Sequence, residues 1–328
     1  MIDFTRFNSL VSLINYFNSN DVCQQAIIES RWGKDEFQVV VCPYCGGVHC
    51  VVRKDGKFRC KSCHKNFSCL VGTIFENTKV SLQKWFVAMY LVSSHKKGVS
   101  SHQLSRDIEV TQSTAWYMLQ KIRTLFAQDD SVALSGVVEC DEVYIGGKEK
   151  WKHESMKTPG TQGRSTKTKT PVFGMMERSE YMNAKGAVEN MSIVRAIVVE
   201  KTDRATLMPI IGQFVEKGSS VYTDELNAYS KLNENGYKHG IVNHGASEFV
   251  SEENNDVYTN GIEGFWSHFR RMITGCYHDC SDKHLQKYVD EACYRWNTRK
   301  QSQSERFEDM FAKSIGKVIT WNKIKKVA

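Results

Sequence analysis

The chain has 328 residues, 41% hydrophobic and 25% charged, so it is long enough for two or three domains and has the balance of an ordinary globular protein, not a disordered or fibrous one. No apolar run approaches the roughly 18 residues of a membrane-spanning helix, and the start, MIDFTRFNSLVSL, lacks the cationic stretch and apolar core of a secretion signal, so a cytoplasmic protein is expected. The net charge of +7 leans towards a polyanionic partner, and 11 cysteines in such a chain favour metal binding over disulfides.

From Phe4 to Arg31 the spacing of Phe7, Leu10, Leu13, Ile14 and Phe17 predicts helix, with Asn20 or Asp21 capping a second helix that carries Cys23, Ala26 and Ile27. Cys42-x-x-Cys45 and Cys60-x-x-Cys63 follow, two knuckles separated by residues 46–59. Each knuckle bends so that both thiolates reach one ion, and four thiolates close a tetrahedral Zn²⁺ site with no open position, the mark of a structural metal. A redox pair or an iron–sulfur site does not account for two knuckles joined by the hairpin-like VVRKDGKFR. Phe58 and Phe67 flank the second knuckle and are expected to pack over it, while His49, Cys50, His64 and Cys69 are spare potential ligands. Arg53, Lys54, Lys57, Arg59, Lys61 and Lys65 make the ribbon basic, either as a solvated face or as a nucleic-acid contact.

Ser81 then caps a helix over LQKWFVAMYLVSSH. Ser100-x-x-Gln103 has the pattern of a capping box, with Leu104 and Ile108 on the apolar face. A break at Glu109-Val110 leads through Thr111 into QSTAWYMLQKIRTLF, where Ala115, Met118, Leu119, Ile122 and Leu125 fall at helical spacing. Two helices joined by a tight turn read as a helix-turn-helix that offers Gln112, Ser113, Thr114 and Tyr117 to a DNA major groove. A helical hairpin with a purely structural role has the same pattern.

VVECDEVYIGG, residues 137–147, reads as a β-strand with a carboxylate set into it. Val137, Glu139, Asp141 and Val143 share one face, and Val138, Cys140, Glu142 and Tyr144 the other. Strands are depleted in Asp, and burying an ionised carboxylate without a partner or a metal is costly. A basic, turn-rich stretch from Gly146 to Thr170 follows, including Lys148, Lys150 and Lys152; it is expected to be a loop, solvated or gripping a phosphate backbone. Strands are predicted at Val172 to Glu177 and Ser192 to Val199, then a helix from Arg204 to Val215 capped by Asp203. Ser219 to Asp224 is a strand, Glu225 to Leu232 a helix, and Ile241 to His244 a last short strand. Gly261 to Thr274 is a helix with Ile262, Phe265, Trp266, Phe269 and Ile273 on its apolar face, and further helices run from Lys283 to Arg299 and from Glu305 onward.

Three strands, helix, strand, helix, strand, helix is an RNase H-like α/β order: a mixed sheet with helices on its faces. In it the first and fourth strands are neighbours at the sheet centre, so Asp141 and Asp224 converge and Glu263 points in from the helix. Three such carboxylates repel one another unless divalent metal sits between them. Their oxygens suit Mg²⁺ or Mn²⁺, as two ions about 3.5–4 Å apart that activate the attacking oxygen and stabilise the leaving oxygen of a phosphodiester. On local pattern alone, Asp224 is also read as a helix N-cap and Glu263 as a favourable charge at a helix start.

VECDEVYIGGKEKWKH, VYTDELNAY, VNHGASEFV and YTNGIEGFWSHFRRMITGCYH resemble the DDE transposases of the IS1595 family, with an ISXO2-like transposase domain, and CPYCGG…FRCKSC is similar to that family's zinc ribbon. The resemblance runs from about Phe17 to Phe311. It implies Asp141, Asp224 and Glu263 as the metal-binding catalytic triad, and a basic partner that here is Arg270, where Lys is common; Arg keeps the charge and changes the phosphate geometry. It also makes His244 and Asn260 candidates for supporting or DNA-contacting roles, while on local pattern alone His244 reads as a structural residue at a strand end.

The organisation expected is a helical segment over 1–34, a zinc ribbon over 35–72, a helix-turn-helix-like DNA-binding segment over 73–130, an RNase H-like catalytic domain over 131–300 and a helical tail over 301–328. The function implied is that of an insertion-sequence transposase, cleaving and joining DNA at terminal inverted repeats and target, as a homo-oligomer of at least two chains and without a membrane. A DNA-binding regulator with an inert RNase H-like domain and a nuclease without strand transfer are the other classes.

Overall fold

The structure, a computed structural model, describes residues 2–34, 38–146, 152–160, 165–182, 188–242, 257–320, 322 and 324. The chain forms two units, 1–125 together with 300–328, and 126–299.

In the first unit, α1 (Leu10–Tyr16) and α2 (Asn20–Trp32) start on Ser9 and Ser19, whose hydroxyls accept from the amides of Ser12 and Val22. The cap of α2 is thus Ser19 and not Asn20 or Asp21: an extended Ser can satisfy an otherwise orphaned amide of the first turn, and the Asn20 side chain accepts instead from the Leu82 amide at 3.2 Å. The ribbon is a three-stranded antiparallel sheet of β1 (Cys50–Val52), β2 (Phe58–Cys60) and β3 (Asn66–Phe67). Phe58 stacks on Phe67 at 5.6 Å and Trp32 meets Phe58 edge-on at 5.1 Å, so aromatics substitute for the core that so small a sheet lacks.

Helix α3 (Leu82–Ser94) is buried along most of its length, and α4 (Ser101–Asp107) and α5 (Gln112–Arg123) form the expected hairpin. Glu109 takes a left-handed backbone, φ 50°, between them. Only half of the capping box forms: Ser100 accepts from the Gln103 amide, while Gln103 Oε1, the acceptor that would close the box, takes a charged donor from Arg106 at 2.7 Å instead.

The second unit is built on a five-stranded mixed sheet, order β6-β5-β4-β7-β8. Its strands are β4 (Val137–Ile145), β5 (Thr170–Met182), β6 (Val188–Val198), β7 (Ser220–Thr223) and β8 (Lys238–Ile241). β4, β5 and β6 pair antiparallel, and β4–β7 and β7–β8 parallel. The alternation expected along β4 is present. Val138 and Cys140 enter a core with Leu207, Ile211 and Phe214 of α6 (Arg204–Phe214), and Val143 and Ile145 enter the opposite core with α7 (Asn260–Met272) and α8 (Asp282–Asn297).

Two elements differ from expectation. Glu225 to Leu232 is not a helix; 3₁₀ turns occupy Asn227–Tyr229 and Asn233–Asn235. Here Asp224 accepts from the Leu226 amide at 3.0 Å, the local side-chain bond that competes with helical pairing. The last strand ends at Ile241 instead of starting there, since β8 pairs residue for residue with β7 from Lys238. His244 lies outside the described residues, as do Lys148 and Lys150.

Back in the first unit, α9 (Gln303–Lys313) packs on α3, with Phe311 meeting Phe86 at 5.3 Å. The Ile74 amide donates to the Ser314 carbonyl and the Gly316 amide to the Gly72 carbonyl, so the C-terminal helix is bound into this unit.

Candidate functional site

The four ribbon cysteines converge. Their sulfurs all lie within 4.8 Å of one another, with Cys42–Cys63 at 3.7 Å and Cys45–Cys60 at 3.6 Å. Backbone amides of Cys63 and Ser62 lower the Cys60 thiol, while against the opposing Gly47 amide the sulfurs of Cys63 and Cys60 push Cys45 up, so the crowded thiols do not all ionise without a cation between them. Four sulfurs at this separation fit a tetrahedral ion, with no donor left to exchange. The Cys50 thiol donates to the Gly47 carbonyl at 3.6 Å, and Cys69 is buried beside Arg31, outside the cluster.

The N-terminus of α5 presents only part of the expected set to solvent. Gln112 and Ser113 are exposed, the Gln112 amide donating to Ser101 Oγ at 2.8 Å. Thr114 is half-buried and bonded to the capping Thr111 at 2.8 Å. Tyr117 is half-buried too, lining a cavity of about 430 Å³ with Trp85 and Lys121, and the Lys121 ammonium lies 5.3 Å from its ring centroid. Lys152 is exposed.

In the second unit β4 and β7 run parallel only over Val137–Glu139 against Ser220–Tyr222, so both chains emerge at the same sheet edge just beyond. Asp141 and Asp224 are thereby brought together. Carboxylate oxygens of Asp141, Glu142 and Asp224 lie within 4.8 Å of one another. Glu263, in the first turn of α7, lines a cavity of about 340 Å³ with Asp141, Glu142, Trp266, Ser267 and Arg270. Asp141 and Glu142 are common to both groups: Asp224 joins them in the carboxylate cluster, whereas Glu263 and Arg270 of α7 share the cavity with them and Glu263 is not among the clustered carboxylates. Asn260, the first residue of α7, is exposed.

Two carboxylates were not anticipated in this arrangement. Glu142 belongs, by alternation, to the face opposite Asp141, yet it lies past the end of the β4–β7 pairing and reaches the same cluster. Its Oε1 accepts from the hydroxyl of Tyr229, which is fully buried. Burial first, and the charge of Glu142 next, push the Tyr229 phenol far up, so it remains a proton donor to Glu142. An adjacent Asp-Glu pair in a strand was the available signal. Glu139, 1% exposed, accepts from Arg178 Nε at 2.6 Å and from the Ile262 amide at 2.8 Å. It serves as the acceptor at the start of α7, where Thr259 supplies no side-chain cap. Gly261 makes room: a Cβ there would sit 2.9 Å from Glu139 Oε2.

Residues 133–297 match the family of the ISXO2-like transposase domain, and residues 18–66 match the transposase zinc-ribbon domain. A protein of Halobacterium salinarum, described as an uncharacterized protein in transposable element ISH50, is 29% identical over 277 residues, covering 80% of this chain and 85% of that one. An uncharacterized transposase-like protein of Haemophilus influenzae is 35% identical over 104 residues, 32% of this chain and 80% of its own length. With both matches in the order of the two cysteine and carboxylate sites just described, the chain belongs to the IS1595-type family defined by the ISXO2-like transposase domain and carries that family's zinc ribbon.

Proposed function

We propose that the chain is a DDE-type transposase that binds the terminal inverted repeats of an insertion sequence, cleaves DNA at the element ends and joins them to target DNA. The observation that carries this is the meeting of Asp141 and Asp224, from β4 and β7, beside the cavity that Glu263 and Arg270 of α7 also line. A sheet of three antiparallel strands continued by two parallel ones, with β4 in the centre, supports an RNase H-like catalytic domain.

The donor set is made of carboxylate oxygens, which suits Mg²⁺ or Mn²⁺ and not a thiolate-preferring metal. Asp141, Asp224 and Glu263 would hold two such ions. Bound there, they would supply Lewis-acid activation of the attacking oxygen and neutralise charge on the phosphodiester. Arg270 offers a fixed donor fork to a phosphate oxygen at the cavity wall. Water attacks first, releasing a 3′-hydroxyl at the element end; that hydroxyl then attacks a target phosphodiester in line and expels the other 3′-oxygen. Both steps exchange one P–O bond for another, so no covalent protein–DNA link is needed.

Gln112 and Ser113, at the exposed start of α5, would reach into a major groove, and the exposed Lys152 and the basic ribbon would hold phosphates. Thr114 and Tyr117 would support that surface from behind. Two ends must be joined, so the working species is an oligomer of at least two chains on double-stranded DNA. No helix among the described residues is long and apolar enough to cross a membrane.

The test is a strand-transfer assay with element-end DNA and a plasmid target. Joined product is expected with the parent and Mg²⁺, and none with EDTA or with Asp224→Asn. Cleavage without joining would identify a nuclease instead, and specific binding with neither would leave a DNA-binding protein on an inert fold.

A further inference from the structure

We infer that Arg178 is the positioning residue that assembles the carboxylate site, a role that rests on the metal-site proposal above. Its guanidinium, on β5, touches all three segments that carry the proposed ligands. Towards β4 its Nε donates to Glu139, two residues before Asp141, at 2.6 Å. Towards β7 it lies 5.1 Å from the ring centroid of Tyr222, two residues before Asp224. Towards α7 its Nη2 donates to the Tyr258 carbonyl at 2.5 Å and the guanidinium stacks on the Tyr258 ring at 3.4 Å, just before the helix that carries Glu263 and Arg270.

Glu139 closes the circuit, because its second oxygen accepts from the Ile262 amide at 2.8 Å. Local packing keeps this geometry narrow. Glu139 and Tyr222 are direct partners in the β4–β7 ladder, and a Cβ on Gly240 of β8 would sit 2.8 Å from the Tyr222 ring and 2.9 Å from Val257. Arg178 lines none of the cavity that Glu263 and Arg270 share, so it acts through the segments it holds. Lysine cannot replace it: one ammonium can keep the charge opposite Glu139 but lacks the planar fork that also reaches the Tyr258 carbonyl and stacks on its ring.

The test uses the full-length protein with Mn²⁺ alone as probe, followed by electron paramagnetic resonance, and hydrogen exchange of the metal-free protein over the first turn of α7. Arg178→Lys is expected to weaken Mn²⁺ binding by roughly 10- to 100-fold, the usual effect of losing a residue that orients metal ligands, and to speed exchange at the start of α7. Arg195→Gln is the comparison, since it removes a second ion-paired arginine of the same sheet, paired with Asp130 at 3.1 Å and 7% exposed, and should change neither readout. Combined with Glu263→Gln, Arg178→Lys should lose less than the product of the two single effects, because part of its effect runs through the segment that carries Glu263. If Arg178→Lys fails to fold, Tyr258→Leu, which removes the stacking ring and leaves the ion pair, must give the same pair of changes.

Parent-like Mn²⁺ affinity in these variants, or full additivity with Glu263→Gln, overturns the positioning role and leaves the metal site standing. A parent whose Mn²⁺ binding is unaffected by Asp141→Asn overturns the metal site itself, and this role with it.

Discussion

Gly174→Ala is the substitution whose sign discriminates best. Gly174 pairs with Asp141 across the β4–β5 ladder, on the face covered by α7. A Cβ there would lie 2.4 Å and 2.7 Å from Cζ2 and Cη2 of Trp266 and 3.1 Å from Cδ1 of Ile262. Trp266 is 3% exposed and packed against Phe265 at 5.0 Å, so its ring can yield only towards the cavity it lines with Glu263 and Arg270. In an accommodating strand position, Gly→Ala stabilises by about 0.4–1 kcal/mol through the unfolded chain. Here overpacking reverses the sign and costs about 1–3 kcal/mol. For a unit of this size that lowers the Tm by roughly 2–12 °C, at about 2–4 °C per kcal/mol.

Calorimetry reads the stability. The double variant with Trp266→Phe, which removes the clashing ring atoms, tests the mechanism. The indole N–H of Trp266 is buried without a hydrogen-bond partner among the described residues, so its loss carries little polar cost. A favourable coupling of about 1 kcal/mol or more is expected between the two changes. Because Glu263 lies between Ile262 and Trp266 on α7, joined product should fall further than stability accounts for. A Tm at or above the parent's, or strictly additive effects, would refute the close seating of α7 over Asp141.

Two further outcomes are expected. Cys60→Ser should abolish the one zinc per chain measured by elemental analysis and open the ribbon to proteolysis, while the calorimetric transition of the carboxylate unit stays near its parent temperature; undiminished zinc content would show that the ion is not held by these four sulfurs. Asp290, on α8, is raised to about 6 by burial, against an unfolded value near 3.8, while accepting from Gln128 and Gln286 at 2.8 Å each. The folded state therefore holds this proton more tightly, so its contribution is complete below about pH 4 and is lost as pH rises through about 6, a change on the order of 3 kcal/mol at most. Urea midpoints from pH 4 to 7 should decline less in Asp290→Asn than in the parent, and superimposable pH profiles would remove Asp290 from the account.

What the sequence made legible was what local spacing can encode. The cysteine knuckles, the alternation of β4, the α4–α5 hairpin and the order of strands and helices other than the helix after β7 all rest on short-range periodicity, and each is present in the fold. Glu225 to Leu232 went astray because Asp224 turns its own backbone back on itself, a competition that helical spacing cannot register. Tyr117 was placed by its position on α5, whereas its packing is decided by Trp85 and by the C-terminal residues Val318 to Thr320, far away in sequence. Arg178 was invisible for the same reason: its partners lie 39 and 80 positions away.

The same distinction explains how one strand can carry three acidic residues side by side in space. β4 brings Glu139, Asp141 and Glu142 into the sheet, and three clustered anions would oppose folding. Glu139 is neutralised by Arg178 and by the positive end of α7, and its charge is converted into the anchor of that helix. Glu142 is steadied by a buried phenol that keeps its proton. Asp141 faces Asp224 and the cavity of Glu263 and Arg270 together with Glu142, so negative charge is concentrated where α7 borders the sheet. On these grounds the neighbours of Asp141 are part of the site's construction: Glu139 fixes the start of the helix that carries Glu263, and under the metal-site proposal the charge of Asp141 would be left for the ions.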